Sequence, residues 1–441
     1  MRAPTGASGA ADAAAGATPG GVLPAGFPHW RLSGYYCFYF AVLGCLLPYW
    51  PLYLKRQGFD AFAISLLAAV LIATKSVMPN VWAWLAERLQ INRVAAIRML
   101  TLGACLSFAG FFLADSYRDY LLLLLLFGAF WTGPLPMVEA ATFRQLGVAG
   151  YGYTRVRIWG SIGFLVSVWA LGLWFQAAGV ASLPAIMMCL LLSVLALSGM
   201  LPWAAGENGC PAGRPADMAT PLCAVLRRPP VLALLAVCFL MQASHGPYYV
   251  YYSLFLQERG YLPGLIGQLW AVAVLAEVCA YTVMHRVLTR LGPRRLLLAA
   301  LLLAALRWLL VGALADSLPV LLFAQLLHAA SFGAHHAAAI QFVCRFFPEP
   351  HLGRGQALYS SVSFGAGLAA GSLCGGWAWR SLGPEQSFQC AALASLAGAW
   401  LAWRYLRRGM TPPTSSAGSP GTPATCISRR GSRRDSRARR V

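Results

Sequence analysis

Four ionisable side chains sit in stretches otherwise too apolar to hold them. Lys75, Glu139, Glu277 and Arg307 each fall inside a long, mostly apolar run. A charge at mid-membrane costs ~2.5–3.5 kcal/mol on insertion scales, so each needs a partner or a watery cavity. Their chemistry divides the work. A carboxyl can take up and release a proton; burial favours the neutral acid and a nearby guanidinium favours the carboxylate. Glu277 is therefore the expected proton carrier. Arg307 keeps its proton under ordinary conditions and is expected to be its charge partner or an anion anchor, with His328 or His336 joining the pair. Glu139 with Lys75 is the equivalent pairing earlier in the chain. The same residues would also serve as fixed ion pairs that lock helices together.

Histidines and tyrosines accompany these charges. His328, His335 and His336 share one apolar run. An α-helix turns by about 100° per residue, so His328 and His335 lie about 20° apart and His336 about 80° from His328. A neutral imidazole can relay protons or bind a solute, or simply fill a structural place. Zinc needs more ligands in suitable geometry, and neither metal nor other cofactor is expected. Tyr35/Tyr39, Tyr49/Tyr53 and Tyr248/Tyr252 are spaced i, i+4 and share helix faces. Interfacial belts and helix packing account for Tyr53 and Tyr252 in particular.

What positions these residues is a membrane architecture. Of 441 residues, 59% are hydrophobic and 11% charged, far from a soluble domain. A span needs ~20 mostly apolar residues, and twelve are predicted near 31–54, 62–86, 94–114, 119–143, 156–178, 182–203, 230–256, 263–288, 294–315, 318–344, 355–380 and 386–405. Pro134 and Pro136 disrupt the fourth. The second six repeat the first at an offset of 202 residues. Gly58 maps to Gly260, Ile64 to Ile266, Arg88 to Arg290, Arg93 to Arg295 and Gly163 to Gly365. The offset also carries Lys75 to Glu277, a reversal of charge inside the repeat. Two homologous half-bundles around a midplane site is how secondary transporters are built.

The net charge of +20 is almost all arginine, with Lys55 and Lys75 the only lysines. With the N-terminus in the cytoplasm, 26 Lys and Arg fall inside and 5 outside, while Lys75, Arg98 and Arg307 lie within spans. That alternation is membrane topology, with both termini cytoplasmic, rather than a nucleic-acid face. The expected organisation is a disordered N-terminus at 1–30, a six-helix bundle at 31–203, a cytoplasmic linker at 204–229, a second bundle at 230–405 and a basic disordered tail at 406–441. The N-terminal stretch lacks the apolar core of a cleaved signal. The tail ends in SRRGSRRDSRARR, a solvated segment or one that docks on anionic headgroups. The 12 cysteines are scattered without a CxxC pair, reading as small buried hydrophobes. No Walker A loop is present, and no HExxH or GxSxG constellation supports hydrolytic chemistry. An enzyme is not expected.

Small residues suggest close helix approaches. Gly160-Ser161-Ile162-Gly163 lies in span 5, and Gly365, Gly367, Gly371, Gly375 and Gly376 in span 11. Packing is the default use of such faces; Gly160, Gly163, Gly365, Gly367 and Gly371 would also suit a sliding or hinging interface.

Several segments carry a resemblance. Twelve spans in two repeats, with Arg290-Leu291-Gly292-Pro293-Arg294-Arg295 after span 8, resemble the major facilitator superfamily; the counterpart loop, Glu87-Arg88 to Arg93, has Gln90 where a glycine is expected. Pro48–Leu54 (PYWPLYL), Val156–Phe164 (VRIWGSIGF), Ser244–Tyr249 (SHGPYY), Ala276-Glu277-Val278, Leu306-Arg307-Trp308, Gln325 to His328 and Gln356 to Ser360 are similar to its phenylpropionate permease-like branch, related to lactose and nucleoside proton symporters. The resemblance spans about residues 31–405. It implies an all-α membrane protein of twelve transmembrane helices in two pseudo-symmetric bundles, and proton-coupled import of a small organic solute by alternating access. It also implies that helices 1, 4, 7 and 10 line a cavity, which makes Tyr35, Tyr39, His245, Tyr248 and His335 candidate solute-binding residues; Glu277, Glu139 and His336 are the candidates for coupling, on the chemistry of buried ionisable groups. Such an aromatic, cationic cleft suits an aromatic or small carboxylate; sugars and nucleosides also stack on aromatics. An exporter or uniporter of the same fold, or a transport-inactive receptor or scaffold, is the alternative. Expected partners are the solute, protons and the lipid bilayer, with no nucleic acid; the expected state is a monomer in the plasma membrane.

Overall fold

The structure, a computed structural model, describes residues 29–146, 151–201, 222–347 and 351–406. The N-terminal stretch, most of the 204–229 linker and the basic tail lie outside the described residues. Within them the chain is all-helical: α1 (His29–Arg56), α2 (Ala61–Arg88), α3 (Arg93–Ala109), α4 (Tyr117–Trp131), α5 (Pro134–Leu146), α6 (Tyr151–Ala178), α7 (Leu183–Gly199), α8 (Leu222–Leu226), α9 (Pro229–Glu258), α10 (Pro263–Ala313), α11 (Leu318–Leu326), α12 (His335–Phe346), α13 (Leu352–Ser360), α14 (Leu368–Ser381) and α15 (Pro384–Tyr405).

Ten helical stretches among the described residues are long and apolar enough to cross a membrane. The twelve predicted spans map onto them with two adjustments. Spans 8 and 9 are two helices that abut at Gly292, where the backbone leaves the helical region, and together they make up α10. Span 12 is α15, a helix of 22 residues that is long enough but less apolar. Three spans are composite. Span 4 is α4 and α5, interrupted before Pro134, as the prolines require. Spans 10 and 11 each contain a π-helical stretch, Ala329–Ala334 and Ser361–Gly367.

Local chemistry sets the ends. Asp60 caps α2 by accepting from the Ala63 amide at 2.7 Å, and Asn92 caps α3 through Val94 at 2.8 Å. Ser116 and Asp119 form a reciprocal capping box on α4, which satisfies two otherwise orphaned amides. Gly58 and Gly260, equivalent in the repeat, end α1 and α9 with φ of 89° and 82°. That region favours glycine.

The described chain forms two compact units. One falls in Met1–Ala212 and Tyr249–Val274, the other in Gly213–Tyr248 and Leu275–Val441. In the first, α1 packs on α6 and α7, α3 on α4 and α7, and α2 on α4. Its segment 249–274 is held by Tyr251, whose hydroxyl donates to the Ala61 carbonyl at 2.7 Å, and by Lys55 and Glu258 at 3.8 Å. In the second, Leu234, Val237, Cys238, Met241, Leu297, Leu301, Ala338 and Phe342 form a buried cluster, and α14 packs on α15. Lipid tails are as apolar as leucine, so helices associate in a bilayer through close packing and hydrogen bonds. The glycines provide the first. A Cβ on Gly163 would meet the backbone of Cys37; one on Gly367 would meet that of Phe239, and one on Gly371 that of Ala243. Cys37 and Phe239 are themselves related by the 202-residue offset. These approaches are internal to each unit. Gly160 faces Phe40 and Arg157, and Gly365 is buried in its π-helical stretch.

Candidate functional site

The second unit holds a buried polar cluster built by α9, α10 and spans 10 and 11. α10 is two helical segments that meet at Gly292, and the first supplies Glu277 and the second Arg307. Arg307 is fully buried. One of its terminal nitrogens, Nη2, donates to Gln325 Oε1 at 3.0 Å. The other, Nη1, reaches His328 Nδ1 at 3.0 Å and Ser331 Oγ at 3.2 Å. The guanidinium also lies over the rings of Tyr248 and Trp308, 4.2 and 4.4 Å from their centroids. Desolvated contacts of that kind contribute ~2 kcal/mol or more. Tyr248 donates to the same Gln325 oxygen at 3.2 Å, and Trp308 Nε1 to Ser244 Oγ at 3.1 Å.

His328 connects this cation to the carboxylate. Arginine has donors only, so His328 Nδ1 must accept and the ring proton must sit on Nε2. Nε2 is the nitrogen on the Glu277 side, 3.6 Å from Oε2, an electrostatic contact longer than an ordinary hydrogen bond. A second proton on His328 would set an N–H against the guanidinium. The ring therefore stays neutral while its bond to Arg307 holds. Glu277 is the member that keeps some exposed surface, 16% of its side chain against 5% for His328.

The π-helical stretch begins immediately after His328 and ends at His335. Its turns are wider than α turns, so the near-alignment expected of His328 and His335 on an ideal α-helix does not apply. Each of the three histidines faces different company. His328 meets Arg307 and Glu277, His335 is buried, and His336 Nδ1 pairs with the Tyr359 hydroxyl at 2.9 Å. His245 is buried too; its Nδ1 donates to the Met241 carbonyl at 2.8 Å and its ring stands edge-on to Trp308.

The first unit carries a smaller, more open cluster. Glu139, on α5, lies 4.0 Å from Arg157 Nε and accepts from the Tyr153 hydroxyl at 3.4 Å, both on α6. Arg157 rests over Phe40 at 4.0 Å. The ion-pair partner of Glu139 is thus Arg157 rather than Lys75, which interacts with it only over a longer range. Helix adjacency decides this, and spacing along the chain does not carry it. Tyr39 stacks on Trp131, centroids 4.1 Å apart and rings 8° from parallel, and Tyr35 lies beside Tyr39. Tyr35, Tyr39, His245, Tyr248 and His335 are all buried here, none more than 4% exposed. Among the described residues no group of three or more His, Cys, Asp or Glu side chains could hold a metal.

Sequence reasoning placed Glu277, His328 and Arg307 together but did not single out Ser331, Arg157 or Tyr153. Arg157 stands at the predicted cytoplasmic start of span 5, where a charge needs no partner, although it belongs to the VRIWGSIGF segment that carries the resemblance. Gln325 and Trp308 were visible only as members of similar motifs.

Comparison with known proteins adds lineage. The family described as MFS_1 like family matches residues 29–390. A probable 3-phenylpropionic acid transporter of Escherichia coli (strain K12) is 28% identical over 394 residues, covering 84% of this chain and 96% of the relative. A maltose permease of Geobacillus stearothermophilus is 28% identical over 348 residues, covering 78% and 86% respectively. The crystal structure of the nucleoside transporter NupG superposes with a TM-score of 0.75 at 12% identity, covering 86% of this chain and 99% of that one, which speaks to the fold.

Proposed function

The chain belongs to the MFS_1-like family of the major facilitator superfamily, a multi-pass membrane transporter and not an enzyme, and from that premise we propose that it imports a small aromatic carboxylate together with protons by alternating access. The observation that carries the coupling is the Arg307–His328–Glu277 chain. Arg307 is fixed, His328 is neutral and oriented, and Glu277 alone can change its charge without breaking the arrangement around the guanidinium. A conformational change that alters the separation of Glu277 from this cationic group would change its hold on a proton. That is how protonation becomes linked to access.

The solute class rests on the aromatic and cationic character of both clusters and on the 3-phenylpropionic acid relative. The alternation of loop charge supports cytoplasmic termini; import follows the direction the resemblance implies, and the plasma membrane is the site proposed for it. A sugar is the second reading, favoured by the maltose permease relative. Purified protein in proteoliposomes with an imposed pH gradient tests these readings with labelled 3-phenylpropionate, maltose and a nucleoside. Accumulation of 3-phenylpropionate that a protonophore abolishes is expected. Accumulation indifferent to the protonophore would reject proton coupling, and accumulation of maltose alone would replace the solute.

A further inference from the structure

Away from the span ends and in the polar clusters, four cationic side chains stand out among the described residues, Arg307, Arg157, Arg98 and Lys75, and three of them are committed. Arg307 is fully buried, with Gln325, His328 and Ser331 on its terminal nitrogens and aromatic rings against it. Arg157 is held by Glu139 and Phe40. Arg98 caps the end of α7, its Nη2 donating to the Gly199 carbonyl at 2.6 Å. Lys75 differs from all three. As a residue Lys75 is exposed, while its ammonium lies deep among protein atoms that desolvate it, and among the described residues no carboxylate comes within ion-pairing distance.

Its position makes that freedom informative. Lys75 stands at the middle of the 28-residue α2, about 20 Å of helix from either end. A membrane interface is about 15 Å from mid-bilayer, beyond what a lysine side chain can snorkel. An unpaired ammonium at this depth is costly against lipid and tolerable beside water. Neighbouring Thr74 is buried, near Gly128 of α4, while Lys75 lies within electrostatic range of Glu139 on α5. Lys75 is thus near enough to the Glu139–Arg157 cluster to feel its charge.

We propose that Lys75 is the specificity-determining residue that recognises the solute carboxylate, in place of the buried Arg307. This rests on the carboxylate reading above. It gives the charge reversal within the repeat a division of labour. Lys75 reads the anion in one half, and Glu277 at the equivalent position carries the proton in the other.

The test uses purified full-length protein, with 3-phenylpropionate and its uncharged amide, 3-phenylpropionamide, as probes and tryptophan fluorescence as the binding readout. Lys75→Gln removes the charge without adding one to the membrane. It is expected to weaken binding of the acid by about tenfold to a hundredfold, the range for a hydrogen bond to a charged group, and to leave the amide unchanged. Lys75→Arg should retain acid binding. If wild type prefers the acid and Lys75→Gln binds it equally well, Lys75 is not the anchor while the carboxylate reading stands. Equal losses for acid and amide would show a structural role and overturn the proposal. If wild type itself shows no preference for the acid, the carboxylate reading fails and this inference fails with it.

Discussion

Gln90 and Gly292 occupy the same position of the 202-residue repeat, and both adopt a positive φ, 52° and 74°. A positive φ after the second helix of each half has been retained, while glycine, the residue best suited to it, stands in one half only. Gln90 bonds back to the Glu87 carbonyl at 2.8 Å, a partial compensation. A left-handed conformation costs a residue with a Cβ roughly 1–2 kcal/mol, and an exposed hydrogen bond returns about 1 kcal/mol or less. Gln90→Gly should therefore stabilise the protein slightly, raising its unfolding temperature in detergent. A lower temperature would show that the side-chain bond outweighs the backbone relief.

Glu277→Gln retains the size of the side chain and its ability to meet His328 but cannot ionise. Accumulation driven by a pH gradient should fall to background, whereas exchange of internal for external solute should persist. Normal accumulation by this variant would remove Glu277 from coupling.

Arg307→Lys preserves charge and loses geometry. One ammonium cannot bond Gln325 and His328 in opposite directions while lying flat over Tyr248 and Trp308. The variant is expected to unfold at a clearly lower temperature, consistent with a loss of about 2 kcal/mol or more from the stacked contacts alone. Wild-type thermal stability would show that the planar group is not needed.

Glycine substitutions should separate tight helix contacts from open positions. Gly163→Leu forces a side chain into the backbone of Cys37 and should abolish folded, monodisperse protein. Gly199, at the end of α7, has open space where a Cβ would go, so Gly199→Ala should leave expression and melting unchanged or raise the latter slightly. Equal damage from both would contradict the packing assigned to Gly163.

Most of the architecture was legible because a membrane demands long apolar runs and helices satisfy every backbone group within themselves. Pro134 announced the break in span 4, and the Gly58/Gly260 pair announced the repeat. The two π-helical stretches were not legible, since no proline or distinctive composition marks Ala329–Ala334. Missing them made His328 and His335 seem aligned. The Arg307–His328–Glu277 grouping could be guessed from the cost of burying charge, which forces polar residues to seek one another. The partner of Glu139 could not, because Lys75 and Arg157 are equally reasonable until the helices are placed. Tyr153 carried no signal beyond its type.

The arrangement around Arg307 has a consequence for biosynthesis. Its partners Gln325, His328 and Ser331 all follow it in the chain, so none has emerged when the Arg307 segment leaves the ribosome. Tyr248 precedes it and offers one aromatic face. Releasing that segment alone into lipid would carry the ~2.5–3.5 kcal/mol insertion penalty of an arginine at the helix centre. The segment is therefore best retained beside the translocon until its C-terminal neighbour emerges. The two then enter the bilayer as a pair, which makes the order of translation part of how this half of the protein is assembled.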